Sequence, residues 1–200
     1  MKKRLVNLPF SMIFMFLGIL VVLAVVSINP FPFHDHYLEP PHSMADFELQ
    51  TANSEAFRLS DQKGKLILVF FGYTNCPDFC PTTLSKLKQV HDQLGDDVNR
   101  VLFVMISVDP ERDTPAKVAA YVAQFNAEFI GLSGSLEELQ PIWTEFGLVV
   151  EKRVVDNAGS YSMSHTTSVY VIDQSGDFVK IIPYDANVTD IINELVQRKK

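Results

Sequence analysis

Two continuous apolar runs constrain the fold most: Leu66-Ile67-Leu68-Val69-Phe70-Phe71 and Val101-Leu102-Phe103-Val104-Met105-Ile106-Ser107-Val108. Neither alternates polar with apolar residues, so each reads as a strand covered on both faces, as in a parallel sheet. Between them, Leu84, Leu87, Val90 and Leu94 follow helical spacing over about residues 81–94, with Gly95 placed as the stop. Strand, helix and strand read as one right-handed crossover unit.

The rest of the chain extends that unit. Thr114-Pro115 opens a second helix, with threonine at the cap, proline at the first position, and a buried side of Val118, Tyr121, Val122 and Phe125. Ser135-Leu136-Glu137-Glu138 is a capping-box match for a third helix, which runs to about Gly147 and contains Trp143 and Phe146. Leu148 to Val155 reads as a strand and Asp156-Asn157-Ala158-Gly159 as a turn. Ser168 to Ile172 and Phe178 to Ile182 form a predicted hairpin around the Gly-containing loop 173–177. Asn187 caps a closing helix carrying Ile191, Ile192 and Leu195. This order predicts an α/β domain with a mixed central sheet flanked by helices, the thioredoxin-like arrangement.

The N-terminus has a different character. Lys2, Lys3 and Arg4 precede nineteen uncharged residues, Phe10 to Ile28, and about 20 apolar residues span a bilayer as a helix. The positive cap stays cytoplasmic, which puts the main domain on the extracytoplasmic, periplasmic side of the inner membrane. A cleaved signal peptide is the alternative; Val25-Val26-Ser27 matches a cleavage site poorly, which favours one transmembrane anchor over residues 1–28. Residues 29–45 contain Asn29-Pro30-Phe31-Pro32 and Glu39-Pro40-Pro41 and predict an extended tether. His34, His36 and His42 on it belong either to a solvated linker or to an auxiliary metal-capture arm. Residues 46–200 remain as one domain large enough to bury a core. The net charge of −7 argues against broad nucleic-acid binding. Two cysteines are too few for a disulfide-stapled scaffold.

Those two cysteines, Cys76 and Cys80, share one turn within Phe70-Phe71-Gly72-Tyr73-Thr74-Asn75-Cys76-Pro77-Asp78-Phe79-Cys80-Pro81. Thiols so confined serve redox chemistry or bind a soft metal. Pro81 is expected at the first helical position, holding Cys80 just outside the helix. There the helix N-terminus would favour a thiolate on Cys80, opposed by the charge of Asp78. Phe70, Phe71, Tyr73 and Phe79 are expected as core or as the apolar wall of the site. A three-residue spacer lets the sulfurs close a disulfide or splay around an ion. Metal binding needs a further ligand, and the domain offers His91 and His165. His91, near the end of its helix, reads as a surface residue interacting with that end. His165, in Ser162-Met163-Ser164-His165-Thr166-Thr167, precedes a core strand in a loop that a thioredoxin-like fold sets beside the dithiol. A Cys-Cys-His set suits copper, accommodates zinc, and excludes calcium and magnesium. Such a site loads only when both cysteines are reduced.

Tyr73-Thr74-Asn75-Cys76-Pro77-Asp78-Phe79-Cys80-Pro81-Thr82-Thr83-Leu84 resembles the copper-site turn of the Sco/SenC family. Ser107-Val108-Asp109-Pro110-Glu111-Arg112-Asp113-Thr114-Pro115 looks like that family's second motif, and His165 ahead of Val169-Tyr170-Val171-Ile172-Asp173 looks like its histidine loop. The resemblance spans about residues 46–198. It implies a thioredoxin-like fold holding one copper through Cys76, Cys80 and His165. It also implies delivery of copper to the binuclear copper site of cytochrome c oxidase, reduction of that site's cysteines, or both. The implied partners are the copper-site subunit of the oxidase and a thioredoxin-like reductant of the Cys76–Cys80 redox pair. The family often has aspartate directly before the histidine, where this chain has Ser164; an acid there could orient the imidazole. A tethered thiol–disulfide oxidoreductase without physiological metal is the competing reading. A peroxidase is the third, with Thr74 and Thr82 as candidate threonines and no arginine close in sequence. Asp109 and Asp113 are either loop and helix-start residues or a negative rim that guides a partner.

Overall fold

The computed structural model describes residues 37–53, 55–156 and 160–198. The expected anchor and the tether as far as His36 lie outside them, with His34 and His36. Among the described residues no helix is long and apolar enough to cross a membrane. Strands β1 (Tyr37–Ser43), β2 (Glu48–Gln50) and β3 (Ala56–Arg58) precede the crossover unit β4 (Leu66–Gly72), α1 (Phe79–Gln93), β5 (Val101–Ser107). Next come α2 (Pro115–Ala123), β6 (Ile130–Leu132) and α3 (Leu136–Glu145). A ribbon of β7 (Val150–Val154) and β8 (Tyr161–His165) follows, then β9 (Val169–Ile172), β10 (Asp177–Ile182) and α4 (Val188–Gln197).

The six-stranded sheet has the order β1-β10-β9-β4-β5-β6 and is mixed, as expected. Strand β4 is buried along its whole length, as its unbroken apolar run requires. It pairs in parallel with β5 and antiparallel with β9. The parallel register sets Gly72 opposite Ser107. The loops leaving these two strands therefore emerge together at the carboxyl end of the sheet, where α/β folds place their sites. Helix α1 buries Leu84, Leu87 and Val90. The Thr114 hydroxyl accepts from the Lys117 amide at 3.3 Å, and the Ser135–Glu138 capping box forms. In the β9–β10 turn, Asp173 Oδ1 accepts from the amides of Ser175 (2.8 Å) and Asp177 (3.1 Å), while Gly176 takes φ +92°.

Part of the expected tether is sheet. From Tyr37 the chain runs antiparallel to β10 as an edge strand, with a register break between Tyr37 and His42. Pro40 and Pro41 lie in that interval; prolines, lacking an N–H, are tolerated on an edge. His42 Nε2 lies 2.9 Å from Glu145 Oε1. The short β2–β3 pair, β6 and β8 have no periodicity long enough to read from sequence. Residues 157–159 of the expected turn after β7 lie outside the described residues.

A buried ionic contact ties α4 to the sheet. Lys180 Nζ on β10 donates to Glu194 Oε2 at 2.6 Å, and Arg198 Nε donates to Glu194 Oε1 at 2.5 Å. Burial pushes the Glu194 carboxyl upward, but the two cations outweigh it and hold the group below the usual carboxylate range. A depressed carboxyl pKa stabilises the fold above the unfolded-state value, and that contribution fades as pH falls through the folded value. Glu194→Ala removes a buried carboxylate that accepts charge-assisted bonds from Lys180 and Arg198, and is expected to cost about 2 kcal/mol in urea unfolding. A change below about 0.5 kcal/mol would assign the contact the worth of a surface pair.

Candidate metal centre

The dithiol loop is shaped before it is charged. Gly72 ends β4 with the Cys80 sulfur against its backbone. A Cβ at Gly72 would sit 2.8 Å from Phe70 Cε1, 3.0 Å from Cys80 Sγ and 3.1 Å from Met105 Cε. Only glycine leaves room for Cys80 there. The loop then folds back, with the Cys76 amide donating to the Tyr73 carbonyl at 3.1 Å. Asp113, whose side chain is fully buried, anchors it. The Asp113 carboxylate accepts from the Thr74 amide (2.9 Å), the Thr74 hydroxyl (2.5 Å) and the Ser107 hydroxyl (3.0 Å). Helix α1 begins at Phe79, so Cys80 lies inside the first turn and Pro81 is its third residue, contrary to expectation. The first four amides of a helix have no intrahelical acceptor, so proline is harmless there. The Thr82 amide and hydroxyl both donate to the Asp78 carbonyl, at 3.2 and 2.9 Å, and close the turn.

Both cysteines are free; Cys80 is buried and Cys76 partly exposed. Their acidities are the reverse of the expected order. Cys76 is held at about 5, chiefly by the Cys80 thiol donating to it, then by the amides of Asp78 and Cys80 and by His165, against the opposing effect of burial. The Cys80 amide is 3.4 Å from Cys76 Sγ. Cys80 is pushed strongly upward, first by donating to Cys76, then by burial and by the negative charges of Cys76 and Asp113. The helix N-terminus thus serves the cysteine that precedes it. Asp78 lowers the Cys76 pKa through its amide, opposite to the effect expected of its carboxylate. Phe70, Phe71 and Tyr73 are buried as expected; Phe79 is 47 % exposed, its ring 5.2 Å from that of Tyr184.

His165 ends β8, paired with Val150. Its Nδ1 lies 2.8 Å from the Thr166 carbonyl, which can only accept, so Nδ1 carries the proton and the Nε2 lone pair is left available. Burial lowers the pKa of the ring, so the imidazole is neutral. The ring packs edge-on against Tyr73 (6.0 Å) and Phe70 (6.5 Å). It stands near enough to Cys76 that each alters the other's protonation. Among the described residues no three His, Cys, Asp or Glu side chains are gathered so as to hold a metal ion. The fold brings the imidazole to the dithiol without closing a ligand set.

The other candidates resolve differently. His91 is 14 % exposed, more covered than a surface residue. It sits by Glu128 (3.0 Å) and Asn126 (3.0 Å) and against Phe103 and Phe129, away from the dithiol loop. Asp109 and Asp113 are buried and form no rim. Asp109 accepts from Arg112 Nε (2.5 Å) and the Tyr161 hydroxyl (2.7 Å). Sequence reasoning gave no role to Gly72, Arg112 or Tyr161, although the first two stand in the quoted motifs, and gave Thr74 an individual role only as a peroxidase threonine. The Ser107–Pro115 motif was the available signal, but its partner Thr74 lies 39 residues away from Asp113.

Sheet order, flanking helices and a reduced dithiol at the start of α1 beside a neutral histidine define a thioredoxin-like domain built for thiol or soft-metal chemistry. The family model described as SCO1/SenC matches residues 35–200, and the chain belongs to that family. It is 34% identical over 151 residues to the SCO2-like protein of Rickettsia felis, covering 75% of this chain and 74% of that one. Among solved structures, Bradyrhizobium japonicum ScoI with copper bound is 36% identical, with TM-score 0.72, over 78% of this chain and 99% of that one. The apo Sco1 protein from Thermus thermophilus is 33% identical, with TM-score 0.75, over 84% and 99%.

The thiol asymmetry has a direct optical test. Thiolate absorbance of reduced, metal-free protein is expected to rise with a midpoint near pH 5, for one sulfur only, through about pH 9. Cys80→Ala removes the donor and is expected to move that midpoint upward. Two thiolates appearing together near the ordinary thiol value would contradict the assignment.

Proposed function

We propose that this protein is a copper carrier that binds one copper through Cys76, Cys80 and His165 and serves assembly of the binuclear copper site of cytochrome c oxidase. The observation that carries the reading is a neutral imidazole with Nε2 available beside the Cys76 thiolate. These donors suit a soft ion without first losing a proton, except at Cys80, whose proton leaves on loading. Closure of the set requires His165 to move onto the sulfurs. Ser164 does not leave the ring unoriented, because the Thr166 carbonyl holds Nδ1 where a carboxylate could otherwise do so. The copper-bound ScoI relative supports copper as the ion. Residues Phe10–Ile28 anchor the domain to the inner membrane on its periplasmic side, where the copper-site subunit of the oxidase and a thioredoxin-like reductant are its partners.

A second reading, reduction of the target's cysteines, is favoured by the thiol asymmetry. The Cys76 thiolate would attack one sulfur of the target disulfide, forming a mixed disulfide and releasing one target thiolate. Cys80, losing its proton to that thiolate or to solvent, would then displace the second target sulfur. The target leaves as a dithiol and Cys76–Cys80 as the disulfide.

Reduced protein in competition among Cu(I), Cu(II) and Zn(II) is expected to take one copper. His165→Ala is expected to weaken Cu(II) at least about tenfold and Cu(I) less, because the harder ion depends more on imidazole. Cys76→Ser or Cys80→Ser is expected to abolish tight binding. Preference for zinc, or undiminished Cu(II) affinity in His165→Ala, would overturn the assignment.

A further inference from the structure

The ribbon that carries His165 is tied to the domain in an unusual way. Strands β7 and β8 form a two-stranded sheet of their own and pair with no strand of the six-stranded sheet among the described residues. On one flank the ribbon borders a cavity of about 420 Å³, with Val150, Lys152 and Met163 on its side and Pro110, Glu111 and Trp143 opposite. Val150 and Met163 still pack against the core, and the Ser107–Pro115 loop adds polar ties to the ribbon, one of them the Glu111 carboxylate accepting from Lys152 Nζ at 2.6 Å. Arg112 Nη1 donates to the Tyr161 carbonyl at 3.0 Å, and Arg112 Nε donates to Asp109 at 2.5 Å. The Tyr161 hydroxyl donates to the other oxygen of Asp109 at 2.7 Å. The guanidinium lies 3.6 Å over the Tyr161 ring, with Lys152 Nζ 4.0 Å from the same ring. The guanidinium is also 5.7 Å from the Tyr73 ring, which packs on His165 at 6.0 Å.

We propose that Asp109, Arg112 and Tyr161 form a latch that sets how far His165 can reach toward Cys76 and Cys80, making them positioning residues for the metal centre. The inference rests on His165 being a ligand. Two charge-assisted bonds converge on Tyr161, the first residue of β8, a third joins their partners Arg112 and Asp109, and His165 is the last residue of the strand. A strand about 13 Å long transmits a small displacement of one end to the other. Because Asp109 is buried, loss of one donor leaves part of its carboxylate unpaired and loosens the remaining bonds.

Tyr161→Phe keeps the ring under the guanidinium and deletes only the hydroxyl. Arg112→Lys cannot make both the Nε and Nη1 bonds. Each is expected to weaken Cu(II) binding about three- to tenfold, with a change of less than about twofold for Cu(I). In a His165→Ala background neither is expected to weaken Cu(II) further. In metal-free protein both are expected to speed hydrogen exchange of the β8 amides and to leave those of β4 and β9 unchanged, which also verifies folding. If His165→Ala weakens Cu(II) while Tyr161→Phe and Arg112→Lys do not, the latch is overturned and the ligand assignment stands. Full additivity of the variants with His165→Ala also overturns the latch, since it would then act through another group. An unaffected His165→Ala overturns the ligand assignment, and the latch with it, whatever the exchange rates.

Discussion

The buried carboxylate of Asp113 is the contact on which the site depends. It takes both the amide and the hydroxyl of Thr74 and the hydroxyl of Ser107, so it joins the dithiol loop to the end of β5. Hydrogen bonds to a charged acceptor contribute about 1.5–3 kcal/mol each, and an ionised carboxylate in the interior persists only when so satisfied. The parallel register of β4 and β5 delivers the two loops to the same place; Asp113 locks them. With Thr74 fixed, Tyr73 and Cys76 are fixed by the turn between them.

That lock also explains why two identical side chains four residues apart behave differently. Cys80 is fully buried, its sulfur close against Gly72 and the negative charge of Asp113 acting on it, and so keeps its proton. Cys76 is turned toward the amides that open α1 and receives the Cys80 proton as a hydrogen bond. One sulfur is open and charged, the other closed and neutral. The same arrangement suits a nucleophile with its resolving thiol and a soft-ion site waiting for one more proton to leave, so carriage and reduction draw on a single geometry.

Much of the scaffold was legible because it follows from local pattern. The uninterrupted runs of β4 and β5, the Thr114 and Ser135 caps and the β9–β10 hairpin each carry a signal within a few residues, and each formed. The pairing of Cys76 and Cys80 was legible for the same reason. The start of α1 was not, because the rule that proline disfavours helix before it competes with the freedom of the first helical turn, and the turn prevailed. The order of acidities was hidden too. It depends on which sulfur donates to which, a matter of loop direction. The ties of Asp113 to Thr74 and of Asp109 to Tyr161 join residues 39 and 52 positions apart, beyond any periodicity. Strand β1 was masked by its prolines, which argue for a free tether until a sheet edge is available to receive them.

The central claim is that the ring at the end of β8 completes a centre begun by the two sulfurs. Pulsed electron paramagnetic resonance of the protein carrying one Cu(II) tests it most directly. The account predicts modulation from the remote nitrogen of a single imidazole together with strong cysteine methylene proton couplings, and loss of the imidazole modulation alone in His165→Ala. A native spectrum without imidazole modulation, or one that survives the loss of that ring, would contradict it.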